Sequence, residues 1–247
     1  KNTGERKRRP HPRERVRKPG RFPGGRKPRP SDHPAVTALL RIAVYVLFSA
    51  SLGATPSPHV VRAMEAAARQ DFTLASSLLE EAPSPAPADA RDHAFAQAVV
   101  LLNAPPTTPS KVVEARRLFQ EIRDRDPDDD LGIASEFHLG RIAQMHVFPA
   151  DPETARRHFQ HLVDEHPTHW FGQYALLKLA SLDLYREDAG EDGDARVRRW
   201  IERGRRVTHP VLLRNLCWML GDAAQRLNAG PSVALDLYRQ GAAIGFS

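Results

Sequence analysis

The sequence predicts an all-α chain built as an array of about five antiparallel helix pairs. Three observations carry this reading. An alanine recurs with a large apolar residue four positions later: Ala75 with Leu79, Ala115 with Phe119, Ala155 with Phe159 and Ala234 with Tyr238, while Ala195 sits in the same phase with Trp200 displaced by one. Successive alanines stand 40, 40, 40 and 39 residues apart, and a fixed period in that range marks a chain of like supersecondary units. Within the units, apolar residues recur at three and four, as in the stretches around Leu118-Phe119 and Phe159-Leu162, which is the helical period. No stretch shows a convincing alternation of period two, so no sheet is expected.

The first element is a tail, residues 1–33. It holds 13 Lys/Arg against Glu5, Glu14 and Asp32, a net charge of +10, and the other 214 residues are left at −4. Six prolines and almost no apolar residue besides Val16 and Phe22 leave the tail too little to bury against its chain entropy, so disorder is expected there. The tail's charge admits contact with anionic lipid headgroups or nonspecific nucleic acid. With Phe22 as its one aromatic it has no stacking platform, and the mildly acidic body lacks a nucleic-acid footprint.

The second element, residues 34–58, is read as a signal peptide or a single membrane-anchor helix plus linker. Ile42 to Ala54 is free of charge, a length that fits the apolar core of a signal peptide. Extended back through Arg41 to Ala35, it reaches about the 20 residues of a span. The basic flank before it places the tail in the cytoplasm and sends the rest across the membrane, toward a periplasm in a bacterial-type envelope. A mean hydropathy of −0.48 excludes a polytopic membrane protein. No methionine precedes Met64, so a start upstream, or one at Val36 that removes the tail, remain alternatives.

Residues 59–247 form the third element, with helix pairs expected at about 59–83, 88–126, 131–166, 170–209 and 211–245. In two units a proline closes the second helix twelve residues after the alanine, Pro127 after Ala115 and Pro167 after Ala155. In Asp151-Pro152-Glu153, acidic residues flank a proline whose missing N–H costs little in a first turn. One pair cannot bury its apolar face alone, whereas stacked neighbours bury a continuous core.

Leu139-Gly140 followed by Ala155, Phe159 and Pro167, and Leu220-Gly221 followed by Ala234 and Tyr238, resemble the tetratricopeptide repeat, as does Gln70-Asp71-Phe72 ahead of Ala75. The resemblance covers roughly 59–247. It departs in its 40-residue period, against the usual 34, with additions at Val147–Asp151 and around Glu187–Asp194, and in first helices of the second and fourth units that lack the glycine. HEAT-type repeats share the longer period and are the alternative fold. The resemblance implies a right-handed superhelix whose first helices line a concave groove that binds protein or peptide. Aligned on the two Leu-Gly pairs, it points Phe137, Arg141, Gln144, Asn215, Trp218, Asp222 and Gln225 toward that groove, with Asp183 as the analogue on the intervening helix. A structural spacer or oligomerisation part of a cell-envelope assembly is the competing function, and the repeat fragment of a longer enzyme or regulator is a third.

No catalytic residue and no cofactor is expected. No GxSxG, Walker or GxGxxG pattern occurs, and the single cysteine, Cys217, beside Trp218, reads as core and excludes an internal disulfide. His158, His161, His166 and His169 fall within twelve residues, but without an acidic ligand at a telling spacing they read as surface histidines and no metal is assigned. His138 and His146 fall roughly on one face of one helix; a solvated face is preferred there over ligand contact. The acidic run Asp126–Asp130 lacks the alternation of a calcium loop and reads as a turn between repeats. The run Glu187–Asp194 reads as a flexible insertion.

Overall fold

A computed structural model describes residues 57–81, 89–186 and 192–244 of the chain. The tail 1–33, the signal or anchor segment up to residue 56 and most of the acidic insertion, residues 187–191, lie outside the described residues. Among the described residues the structure is entirely helical, with no strand. In chain order the helices are α1 (Pro58–Ala68), α2 (Phe72–Glu80), α3 (Ala90–Asn103), α4 (Pro109–Arg125) and α5 (Asp130–Arg141). After a π-helical turn (Ile142–His146) come α6 (Pro152–Glu165), α7 (Trp170–Leu184), α8 (Gly193–Gly204), α9 (Pro210–Arg226) and α10 (Pro231–Ala243). These spans match the five expected pairs to within a few residues. None of the described helices is long and apolar enough to cross a membrane.

Local chemistry sets the helix starts. The carboxylates of Asp71, Asp129 and Asp151 accept from the backbone N–H three residues on, at Leu74, Gly132 and Thr154. Each satisfies one of the donors that a first turn leaves unpaired. Pro152 follows its cap directly, and Pro58, Pro109, Pro210 and Pro231 likewise open their helices.

Each odd-numbered helix packs on the even-numbered one that follows it, tightly in the first three pairs and in α9 with α10. The odd helices also touch one another in succession, α1 with α3, α3 with α5, α5 with α7 and α7 with α9. The repeat positions fill the seams. Ala75, Ala115, Ala155 and Ala234 are buried, as are Phe119 and Phe159. Pro167 stays at the surface, where it ends the segment after α6.

The Leu-Gly positions have a direct geometric reason. A Cβ on Gly140 would stand 2.7 Å from the ring of Phe159, and one on Gly221 would stand 2.6 Å from the ring of Tyr238. Glycine on the first helix lets the aromatic of the second lie flat against its backbone. A second glycine pair, Gly132 and Gly172, is also 40 residues apart. A Cβ there would stand 2.0 Å from the Asp126 carbonyl oxygen and 1.8 Å from that of His166, each just ahead of a proline.

One repeat position needs correction. Ala195 is exposed, whereas the next residue, Arg196, is buried. Arg196 therefore stands in the place of the alanine, in step with the buried Trp200 four residues on. The acidic insertion ahead of α8 moves the register by one residue. Arg196 fills its position by sending its guanidinium to the carbonyls of Asp183 and Arg186 at the end of α7, at 3.4 and 3.5 Å.

Candidate functional site

The groove residues expected from the sequence do not share one surface. Phe137 is wholly buried, with ring centroids 4.7 Å from Tyr174, 4.9 Å from Phe171 and 5.6 Å from Phe159. It is core because α5 and α7 meet at this point, and no ligand reaches it. Asp183 turns toward α8, where it accepts from Trp200 Nε1 at 2.6 Å and Arg199 at 2.8 Å. Burial opposes the charge of Asp183, but these two donors hold its carboxyl below the ordinary carboxylate range. Trp218 and Asp222 lie against α10: the Trp218 ring centroid is 5.2 Å from that of Tyr238, whose hydroxyl donates to Asp222 at 3.0 Å. Gln225 is exposed and Asn215 partly buried, its amide nitrogen without a partner.

Arg141 is different, because it stands within electrostatic reach of residues that the sequence did not single out. Trp170, Tyr174 and Lys178 recur at intervals of four along α7 and so form one stripe. The Trp170 and Tyr174 rings meet edge to face at 5.1 Å, and the Lys178 ammonium stands 5.3 Å from the Tyr174 centroid, within cation–π reach. Arg141, only 9% exposed, closes α5 opposite this stripe.

The π turn then carries Gln144 and His146 past the end of α5, and the Val147 N–H closes back on the Ile142 carbonyl at 3.2 Å. Such turns recur at functional sites. Three buried polar atoms on these segments have no partner, Gln144 Oε1 and His146 Nε2 in the π turn and Trp170 Nε1 at the start of α7.

The electrostatics are one-sided. Arg141 has one hydrogen-bond partner among the described residues, His138 Nδ1 at 3.4 Å, and neither Arg141 nor Lys178 has a carboxylate partner among them. Burial, with the Arg141 charge adding to it, pulls the Lys178 ammonium down to about 7. The same two causes take His146 to about 4. His138 is held well below its ordinary value by burial first, then by Arg141 and His146; its ring lies flat on Phe119 at 4.7 Å, out of ligand reach. The acid on α5, Glu136, serves other partners, accepting from Arg123 at 3.2 Å and pairing with His158 at 2.8 Å.

Lys178 carries a testable consequence. The folded chain binds fewer protons than the unfolded one between about 7 and the ordinary lysine value of 10.5. The destabilising contribution of Lys178 is therefore full below about pH 7 and fades as pH rises toward 10.5. Lys178→Met keeps the aliphatic stem and is expected to stabilise the fold by on the order of 1–3 kcal/mol at pH 6, with a smaller gain at pH 10. Urea unfolding at the two pH values checks this, and equal gains at both would contradict the assignment.

The other histidines do not gather. His158 turns to Glu136, His166 and His169 approach Asp128 and Asp130 at 3.7 and 3.3 Å, and His161 is exposed. Among the described residues no three His, Cys, Asp or Glu side chains converge as metal ligands. The stripe on α7 was legible as two aromatics and a cation at helical spacing; what hid it was the need to know that α5 ends opposite. No protein-family model matches the chain, and neither a curated protein nor a solved structure matches it.

Proposed function

We propose that the chain is a non-catalytic scaffold of tetratricopeptide type, a right-handed superhelical stack that binds a protein or peptide segment along the side formed by its odd-numbered helices. The observation that carries this reading is the succession of odd-helix contacts from α1 to α9. It supports a side formed by the odd-numbered helices, and Gln144 Oε1 and Trp170 Nε1 are polar atoms without a hydrogen-bond partner after α5 and at the start of α7. A rigid stack of this kind binds through many modest contacts, with no bond chemistry. Export or anchoring through 34–58 belongs to the proposal on sequence grounds.

The test is selection of a displayed random-peptide library on the full chain, followed by titration of the enriched peptides against two variants. Gln144→Ala on the odd-helix side is expected to weaken binding several-fold. Arg117→Ala on the outer side of α4, where Arg117 pairs with Glu114 and Glu121, leaves it unchanged. Failure to enrich any peptide, or loss on the outer side alone, defeats the reading. A second reading, a spacer and oligomerisation part, draws on Trp218, 47% exposed beside α10. Sedimentation that shows a dimer dispersed by Trp218→Ser would favour it.

A further inference from the structure

The last helix pair repeats half of a seam that is filled farther back in the chain. On α5, Phe137 stands three residues ahead of Gly140, on which the Phe159 ring of α6 lies; on α9, Trp218 stands three residues ahead of Gly221, on which the Tyr238 ring of α10 lies. The aromatic contacts match as well, 5.6 Å between the Phe137 and Phe159 centroids and 5.2 Å between those of Trp218 and Tyr238. Their surroundings do not. Phe137 is wholly buried because the next odd helix, α7, brings Phe171 to 4.9 Å and Tyr174 to 4.7 Å. Trp218 is 47% exposed, and among the described residues no helix follows α10 to cover it.

A second position agrees. Arg156 precedes Phe159 by three residues and donates to the Leu182 carbonyl of α7 at 2.9 Å. Leu235 precedes Tyr238 by three and is 48% exposed. Trp218 and Leu235 thus mark two points, one on α9 and one on α10, where the earlier pair receives a neighbouring helix. From Phe171 to Leu182 that helix covers three turns, roughly 16 Å at 1.5 Å per residue. Exposed apolar groups in such an arrangement mark an interaction site.

We propose that this outer face of α9 and α10 is a docking site for an amphipathic helix of a partner protein, one that carries an aromatic pair at i and i+3 and a lysine or arginine at i+7. The pair takes the places of Phe171 and Tyr174 against Trp218. The cation answers Asp222, an exposed carboxylate one turn beyond Trp218 that accepts from the Tyr238 hydroxyl at 3.0 Å. Odd helices joined through antiparallel pairs run in one direction, so a docked helix meets Asp222 one turn beyond its second aromatic, where α7 carries Lys178. The residue after Gly140 is Arg141 and the residue after Gly221 is Asp222, so the outer face selects the opposite charge. A second copy of the chain is a poorer occupant: α1 has no Phe, Tyr or Trp, α9 has one, and the pair on α7 is buried in its own seam. The proposal does not rest on a peptide lying along the odd-helix side.

The probe is a synthetic peptide of residues 168–186 carrying a fluorophore, because it holds Phe171, Tyr174 and Lys178 at the required spacing. Fluorescence anisotropy with the full chain is expected to show saturable one-to-one binding. Trp218→Ala and Leu235→Asp should each weaken it by about tenfold or more. Leu235 is half exposed, so its variant keeps the fold even where Trp218→Ala loosens α10. Lys178→Glu in the peptide should weaken binding several-fold, and Asp222→Lys in the chain should restore it. Leu74→Asp, at an equally exposed leucine on α2, and Gln144→Ala should leave it unchanged.

No saturable binding, equal binding of a peptide with Phe171→Ala and Tyr174→Ala, or binding indifferent to Trp218→Ala and Leu235→Asp would each overturn the site. A dimer of the chain that Leu235→Asp disperses would assign the face to a second copy and overturn the partner helix. Loss with Gln144→Ala alone would move the peptide to the odd-helix side, with the same consequence. The random-peptide selection is read on Gln144 and this titration on Trp218 and Leu235, so the two proposals fail separately.

Discussion

Gly172→Ala is expected to destabilise the chain by about 3 kcal/mol or more, out of proportion to the methyl group it adds. The new Cβ would stand 1.8 Å from the His166 carbonyl oxygen and 2.8 Å from its carbon. Both are backbone atoms, so no rotamer change relieves the collision. Alanine is otherwise the better helix former by roughly 0.5–1 kcal/mol, which makes the sign of the effect informative. Relief requires the turn His166–His169 to move away from α7, and that turn carries the cap of α7, where His169 Nδ1 accepts from the Phe171 N–H at 3.2 Å. Gln173 depends on the same turn, donating to the Thr168 carbonyl at 3.1 Å while its oxygen accepts from the N–H groups of Thr208 and His209 at 2.8 and 2.9 Å. The damage should thus spread to the start of α9. Urea unfolding measures it; a variant within about 0.5 kcal/mol of wild type would show that the close approach is not a constraint.

Phe159→Ala should cost about 3–5 kcal/mol, the range for removing a fully buried aromatic. The ring has no exposed surface, lies on Gly140 and contacts Phe137. A double-mutant cycle separates this contact from simple cavity formation. In the wild type, Gly140→Ala drives a Cβ to 2.7 Å from the Phe159 ring and is expected to destabilise. In the Phe159→Ala background the obstruction is gone, and the same change should stabilise by about 0.5–1 kcal/mol through helix propensity. A Gly140→Ala effect that is identical in both backgrounds would dissociate the two positions. Because the Phe137 ring stacks on Tyr174, Phe159→Ala is also expected to loosen the α5–α7 seam.

Much of the helical layout was legible because it is carried by local chemistry repeated every 40 residues. Ala155 with Phe159, Asp151-Pro152 ahead of them and Pro167 behind need only the helical period and the cap to be read. Ala195 misled because the acidic insertion ahead of α8 alters the count, and burial, not residue type, reveals that Arg196 holds the position. Gly132 and Gly172 carried a second repeat signal in plain view. A glycine's meaning there lies in a carbonyl six residues away, though, and that contact exists only once the turn is formed.

The sequence by itself determined that most of residues 59–247 would form paired amphipathic helices, where most of them begin, and that Ala75, Ala115, Phe119, Ala155, Phe159 and Ala234 would hold the repeat positions, since periodicity and capping act within a few residues of each other. Only the tertiary structure decided what the polar residues do. Asp183 was drawn to α8 by Trp200, Trp218 and Asp222 found a partner in Tyr238 while staying exposed, and Phe137 became core. Arg141 and Lys178, 37 positions apart in the chain, came within electrostatic reach of each other on α5 and α7, with no carboxylate partner among the described residues. Such charge neighbourhoods depend on which helix faces which, and pairings across that distance follow from packing rather than from local sequence.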